Sequence, residues 1–167
     1  FSVCIEMIFR ELPFLDRIGA VANAGFGAFE FWGWCSKDTE RVLERKEKYG
    51  LTVSAFCVEP MGRIVDPGTG PDFISGVKDS IEIAHKLDCS RLIVTTGNEM
   101  EGVSRRAQHK SIVNSLREAA KLAEKAGITL LLEPLNVLVD HKGYYLSSSQ
   151  EAFEIVREVN RLNVRVL

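Results

Sequence analysis

Short apolar runs alternate with longer segments whose apolar residues recur every three or four positions, and the alternation repeats along the whole chain. Phe1–Ile5, Ala28–Trp32, Thr52–Cys57, Arg91–Thr95 and Ile128–Glu133 read as strands. The first helix carries its stripe on Phe14, Leu15, Ile18, Val21 and Ala22; Pro13 suits its first turn and Gly25 its end. Asp38 or Thr39 caps the second helix, which Gly50 closes. A loop rich in Gly and Pro runs from Pro60 to Pro71. The helix after it buries Phe73, Ile74, Val77, Ile81, Ala84 and Leu87. The fourth helix runs from about Ser104 to Ala126, before Gly127. Ser148 and Glu151 have the spacing of a capping box, opening a fifth helix with Phe153, Val156 and Val159. Val164–Leu167 starts a sixth strand.

Near-continuous apolar strands between amphipathic helices imply a parallel sheet covered by helices, in one domain over 1–167. Two architectures satisfy the pattern. One is a doubly wound open parallel sheet. The other is a (β/α)8 TIM barrel, of which this chain supplies five βα units and the start of the sixth strand. A barrel takes about 250 residues, so the length of 167 favours the open sheet. The final run Val164–Leu167, with no helix after it, weighs the other way. Gly68-Thr69-Gly70 matches neither a phosphate loop nor a dinucleotide fingerprint, and reads as a flexible lid or a turn.

With 46% hydrophobic and 26% charged residues, the composition is that of a soluble globular protein. The net charge of −2, without a Lys/Arg run, argues against nucleic acid or an acidic membrane as the main partner. No apolar run reaches the length of a membrane span, and no signal peptide is visible. Cys4, Cys35, Cys57 and Cys89 form no CxxC pair, which favours free thiols and a cytoplasmic setting.

In both architectures the active face lies at the C-terminal ends of the strands. The residues just past them include Glu6 and Met7, Trp32 to Trp34, Val58 to Pro60, Thr96 to Asn98, and Glu133 to Asn136. Glu133 is the sharpest candidate, because a carboxylate ending Leu130-Leu131-Leu132 is costly unless paired or bound to a cation. Otherwise it is a loop residue meeting solvent. Asn136 stands on the same rim, as a ligand group or as a local turn residue. Glu30, between Phe29 and Phe31, points into a barrel interior or pairs with a helix Lys or Arg. Trp32 and Trp34 form an apolar wall over a sugar-like substrate or pack beneath the loops. His141, after Asp140, is an acid/base or supporting group or a plain loop histidine. His85 and His109 belong to the outer helices, and Cys57 reads as a buried thiol.

At Leu131-Leu132-Glu133-Pro134-Leu135-Asn136 the chain resembles the hydroxypyruvate isomerase family of the xylose isomerase-like TIM barrel superfamily. Phe14-Leu15, Ala24-Gly25-Phe26, Phe29-Glu30-Phe31 and Gly143-Tyr144-Tyr145-Leu146 extend the likeness over essentially all of the chain. The resemblance implies a divalent metal, Mg²⁺ or Mn²⁺, with Glu133 as both ligand and catalytic carboxylate. It places the remaining ligands on the sixth to eighth strands, outside these residues. Glu30, Trp32, Asn136 and His141 are then the expected substrate contacts. The implied reaction is aldose–ketose isomerisation of a small α-hydroxy carbonyl compound through an enediolate. Cys57 and Val137 stand where the family often has His. A ketose 3-epimerase is the neighbouring reading, although Val137-Leu138-Val139 replaces its usual Arg-Tyr-Glu. The superfamily's abasic-site endonucleases fit poorly, since none of the three histidines closes a strand. A non-catalytic truncated barrel fragment is the third reading, with unpaired edges that favour self-association into a homo-oligomer.

Overall fold

The computed structural model describes all 167 residues. Strands β1 (Ser2–Cys4), β2 (Ala28–Phe31), β3 (Thr52–Cys57), β4 (Arg91–Val94), β5 (Thr129–Leu132) and β6 (Val164–Val166) alternate with five helices. These are α1 (Phe14–Asn23), α2 (Thr39–Tyr49), α3 (Gly70–Lys86), α4 (Arg105–Lys125) and α5 (Ser149–Val159). The strands pair in the order β1-β2-β3-β4-β5-β6, and every pair is parallel. A doubly wound sheet reverses its strand order at a switch point; this sheet never does. The open-sheet alternative is thereby excluded, and the chain is a six-stranded portion of a TIM barrel.

The middle strands of the sheet are buried on both faces in different ways. Outward residues such as Phe29, Phe31, Phe56, Leu92, Leu130 and Leu132 join the helices in a core of 35 buried residues. Inward residues Ala55, Cys57, Ile93 and Leu131 form a second, small cluster. Cys57 pairs with Ile93, Ile93 with Leu131, and Leu131 with Arg165, so the inner row crosses the sheet in register. A bulge at Phe29/Glu30 absorbs Ser54: Phe29 pairs with Val53, and Glu30 with Ala55. Beyond it, Phe31 stacks on Phe56 at 5.2 Å on the helix side, which leaves Glu30 facing inward.

The helix boundaries follow the caps. Asp38 Oδ1 accepts from the Arg41 N–H at 3.1 Å, and Gly50 ends α2 in the left-handed conformation. Ser104 and Ser148 cap α4 and α5 through the N–H groups of Ala107 and Glu151. The capping box at α5 is only half formed, because the Glu151 carboxylate pairs with Arg105 at 2.7 Å instead. Phe153 is 54% exposed, and α5 buries Ala152, Ile155 and Val159. Those three recur at helical spacing on one face, and Phe153 lies a hundred degrees away from Ala152. Gly68 lies in a turn and Thr69 at the N-cap of α3, which begins at Gly70 with Pro71 in its first turn.

No helix is long and apolar enough to cross a membrane. All four cysteines are free.

Candidate active site

In a strand, side chains two apart share a face, so the inner row continues past the strand ends. From Leu131 the next inward position is Glu133; from Ile93 it is Thr95; from Glu30 it is Trp32. These positions converge with Cys4 and Cys57 on one cavity of about 410 Å³ at the C-terminal ends of the strands. Asn136, Asp140 and His141 close it from the loop between β5 and α5. All five residues singled out from the sequence, Glu30, Trp32, Glu133, Asn136 and His141, therefore line the same space.

The Glu133 N–H donates to the Val94 carbonyl at 3.1 Å, which extends the β4–β5 pairing by one residue before Pro134 ends it. Its carboxylate has no Lys or Arg partner. Burial pushes its pKa up to about 7, and the negative charge of Glu30 adds to the rise. Burial raises the Glu30 carboxyl as well. Glu30 does not form the helix ion pair considered for it. Two cations near β2 pair with Glu6 instead, Lys37 at 2.8 Å and Arg17 at 3.8 Å.

Asn136 serves its turn and the cavity together. Its Oδ1 accepts from the Leu138 N–H at 2.8 Å, and its carbonyl accepts from the His141 N–H at 3.0 Å. The His141 ring meets Tyr144 edge-on at 6.1 Å. Trp32 is 46% exposed in the cavity wall. Trp34 leaves the site: its Nε1 donates to Ser80 Oγ on α3 at 3.0 Å, beneath the loops. The other histidines are remote, His85 on the Ala126 carbonyl and His109 on Glu158. Cys57 is buried, with its thiol pushed far up by burial.

Two contributors escaped the sequence reading. Thr95 lines the cavity, and its Oγ1 accepts from the Gly62 N–H at 2.8 Å. The Tyr144 hydroxyl accepts from the Thr96 N–H at 2.6 Å and donates to the Glu133 carbonyl at 3.4 Å. It thus ties the end of β4 to the end of β5. Of the other rim residues, Thr96 is fully buried, while Glu59 faces a separate pocket beside Trp34.

A metal ion was expected with Glu133 as a ligand. Nowhere in the chain do three or more His, Cys, Asp or Glu side chains converge to hold one. Mg²⁺ and Mn²⁺ require several oxygen ligands, so the residues present do not by themselves fit such an ion.

The chain is similar in sequence and fold to known proteins. A putative hydroxypyruvate isomerase of Danio rerio is 29% identical over 178 residues, covering 99% of this chain and 64% of the relative. A 2-oxo-tetronate isomerase of Cupriavidus necator is 29% identical over 173 residues, covering 99% and 66%. The crystal structure of an AP endonuclease, family 2, from Brucella melitensis superposes with a TM-score of 0.93 at 32% identity, covering 99% of this chain and 66% of that one. The chain thus spans about two thirds of the length of these relatives. The family model for the xylose isomerase-like TIM barrel matches residues 18–167. This chain belongs to the xylose isomerase-like TIM barrel family.

Proposed function

We propose that the chain carries the proton-transfer carboxylate of an isomerase acting on a small α-hydroxy carbonyl compound, with hydroxypyruvate as the model substrate. The observation that supports this reading is Glu133 itself: a carboxyl pushed up to about 7, facing a cavity rather than a counter-ion. A proton carrier works best when its pKa lies near the working pH, because it then takes and returns a proton with little bias. The relatives named for hydroxypyruvate and 2-oxo-tetronate isomerisation support the substrate class.

In this reading the ionised Glu133 removes a proton from C3 of hydroxypyruvate. The C–H electron pair becomes the C2–C3 double bond of an enediol, and the carbonyl oxygen O2 gains a proton. The O3 hydroxyl then loses its proton, O3 becomes the aldehyde oxygen, and Glu133 returns its proton to C2. The product is tartronate semialdehyde, with no net gain or loss of atoms. Glu30, Asn136 and His141 face the hydroxyl and carbonyl oxygens, and Trp32 forms the apolar wall that shields the reacting carbons. Glu133 is the one residue of this chain that the resemblance assigns to Mg²⁺ or Mn²⁺, and a single carboxylate does not hold such an ion. The free thiols suit a cytoplasmic setting.

The test is proton NMR of the natural full-length protein with hydroxypyruvate and Mn²⁺ in D₂O. Tartronate semialdehyde should form with deuterium entering at the transferred position. Glu133→Gln should lower kcat by at least about 100-fold. A Glu133→Gln variant turning over at the normal rate refutes the assignment.

A further inference from the structure

A second cavity, of about 560 Å³, opens between the loop after β3 and the loop after β4. It adjoins the first, sharing Met61, Thr95, Leu135 and His141 as walls. Apart from His141, the linings of the two cavities together contain one cationic side chain, Arg63, against Glu30, Glu133, Asp140 and Asp66. Arg63 is exposed and takes part in no salt bridge or side-chain hydrogen bond within the chain. Arg17 is held by three backbone carbonyls and Glu6, and Arg105 by Glu99 and Glu151; Arg10, in the loop after β1, is as free as Arg63 but lines neither cavity. The neighbouring Asp66 carboxylate accepts from the Gly68 N–H at 2.8 Å and forms no salt bridge with Arg63.

The backbone under Arg63 is anchored on every side. The preceding Gly62 N–H bonds Thr95 Oγ1 at 2.8 Å, and the Arg63 carbonyl accepts from Thr69 Oγ1 at 2.6 Å. Ile64 and Val65 behind it are buried. The Ile64 carbonyl accepts from Ser111 Oγ at 2.9 Å, and the Val65 N–H donates to Thr96 at 3.1 Å. A backbone held by these four hydrogen bonds thus carries an unpartnered guanidinium on the wall of a cavity that adjoins the Glu133 cavity. A guanidinium presents paired N–H donors that match a carboxylate bidentately.

We infer that Arg63 is the specificity residue of this site, binding the carboxylate of a hydroxy- or oxo-acid whose reacting carbons lie toward Glu133. The inference rests on the isomerase reading for the orientation of the substrate, and it assigns to Arg63 the selection of acids such as hydroxypyruvate over neutral α-hydroxy carbonyl compounds. Neutral sugars and ketoses lack the group that Arg63 recognises.

The test is calorimetric binding to the natural full-length protein of D-glycerate, which has no carbonyl to isomerise, against its neutral amide, glyceramide. D-glycerate should bind more tightly than glyceramide. Arg63→Gln should weaken D-glycerate about 10- to 100-fold and leave glyceramide within about twofold, the span expected for charge-assisted hydrogen bonds. Arg63→Lys should restore part of the loss. Equal affinity of the unmodified protein for the two ligands, or an Arg63→Gln variant that keeps its grip on D-glycerate, overturns the inference. Arg63-dependent binding of D-glycerate by a protein that fails to isomerise hydroxypyruvate sinks the isomerase reading and leaves Arg63 as an acid-binding residue.

Discussion

The negative charge of Glu30, on β2, bears on Glu133, just past β5, across the inner face of the barrel. The two residues lie on strands that do not pair, and only the curvature of the sheet makes them neighbours in effect. Burial is the larger cause of the high Glu133 pKa and Glu30 the smaller. Glu30→Gln should therefore move the Glu133 titration down from about 7, while leaving it above the ordinary 4.5. Carbon-13 NMR of the side-chain carboxyls reads this directly. An unchanged Glu133 midpoint in the variant would disconnect the two groups.

The same carboxyl makes folding depend on pH in an unusual direction for an acid. The folded chain holds the Glu133 proton up to about 7, whereas the unfolded chain releases it near 4.5. The stabilisation is complete below the lower value and is lost as the pH rises through the upper one. Thermal unfolding followed by circular dichroism should thus show Tm falling between about pH 5 and pH 7.5 from this group. Glu133→Gln, which keeps the shape but cannot ionise, should flatten that part of the profile and raise Tm at the alkaline end.

Much of this site was legible in the sequence, for a physical reason. The strands are short and nearly all apolar, so a polar residue at their ends stands out, and Glu133 after three leucines is the clearest case. The alternation of faces was less legible. Reading the rim after β4 from Thr96 onward overlooked Thr95, which lies two past Ile93 and so faces inward, while Thr96 is buried. Trp34 was undecidable locally, because its partner Ser80 lies 46 residues away on another helix. Arg63 sits in a loop with no periodicity, where its meaning depends on which acids fail to reach it. The choice between open sheet and barrel depended on strand order, which no local pattern of a parallel sheet encodes.

The two loops that carry Gly62 and Gly97 meet backbone to backbone. A Cβ on Gly97 would lie 2.1 Å from the Gly62 carbonyl oxygen, and Gly97 holds φ at +101°, where side chains are strained. Gly97→Ala should cost about 2–3 kcal/mol in urea unfolding, from strain and from the forced separation of the loops. Because the same contact fixes the chain beside Arg63, the variant should also weaken D-glycerate binding. A Gly97→Ala protein as stable as the parent would show that the approach is not a constraint.

Tyr144 holds the Glu133 backbone in place without reaching the cavity's reacting side chains. Its hydroxyl takes the buried Thr96 N–H at 2.6 Å and reaches the Glu133 carbonyl at 3.4 Å. Tyr144→Phe keeps the ring, which is 7% exposed, and deletes only the oxygen. The Thr96 N–H then stays buried without an acceptor, so the variant should lose about 1–3 kcal/mol of stability. Freed from that tie, the Glu133 backbone should relax, and kcat for hydroxypyruvate should fall more than KM changes, since the loss concerns the aim of the proton carrier rather than binding. Tyr144 is thus a positioning residue, distinguishable from a purely structural one by that split. Equal stability loss with kcat unchanged would confine it to holding the two strands together.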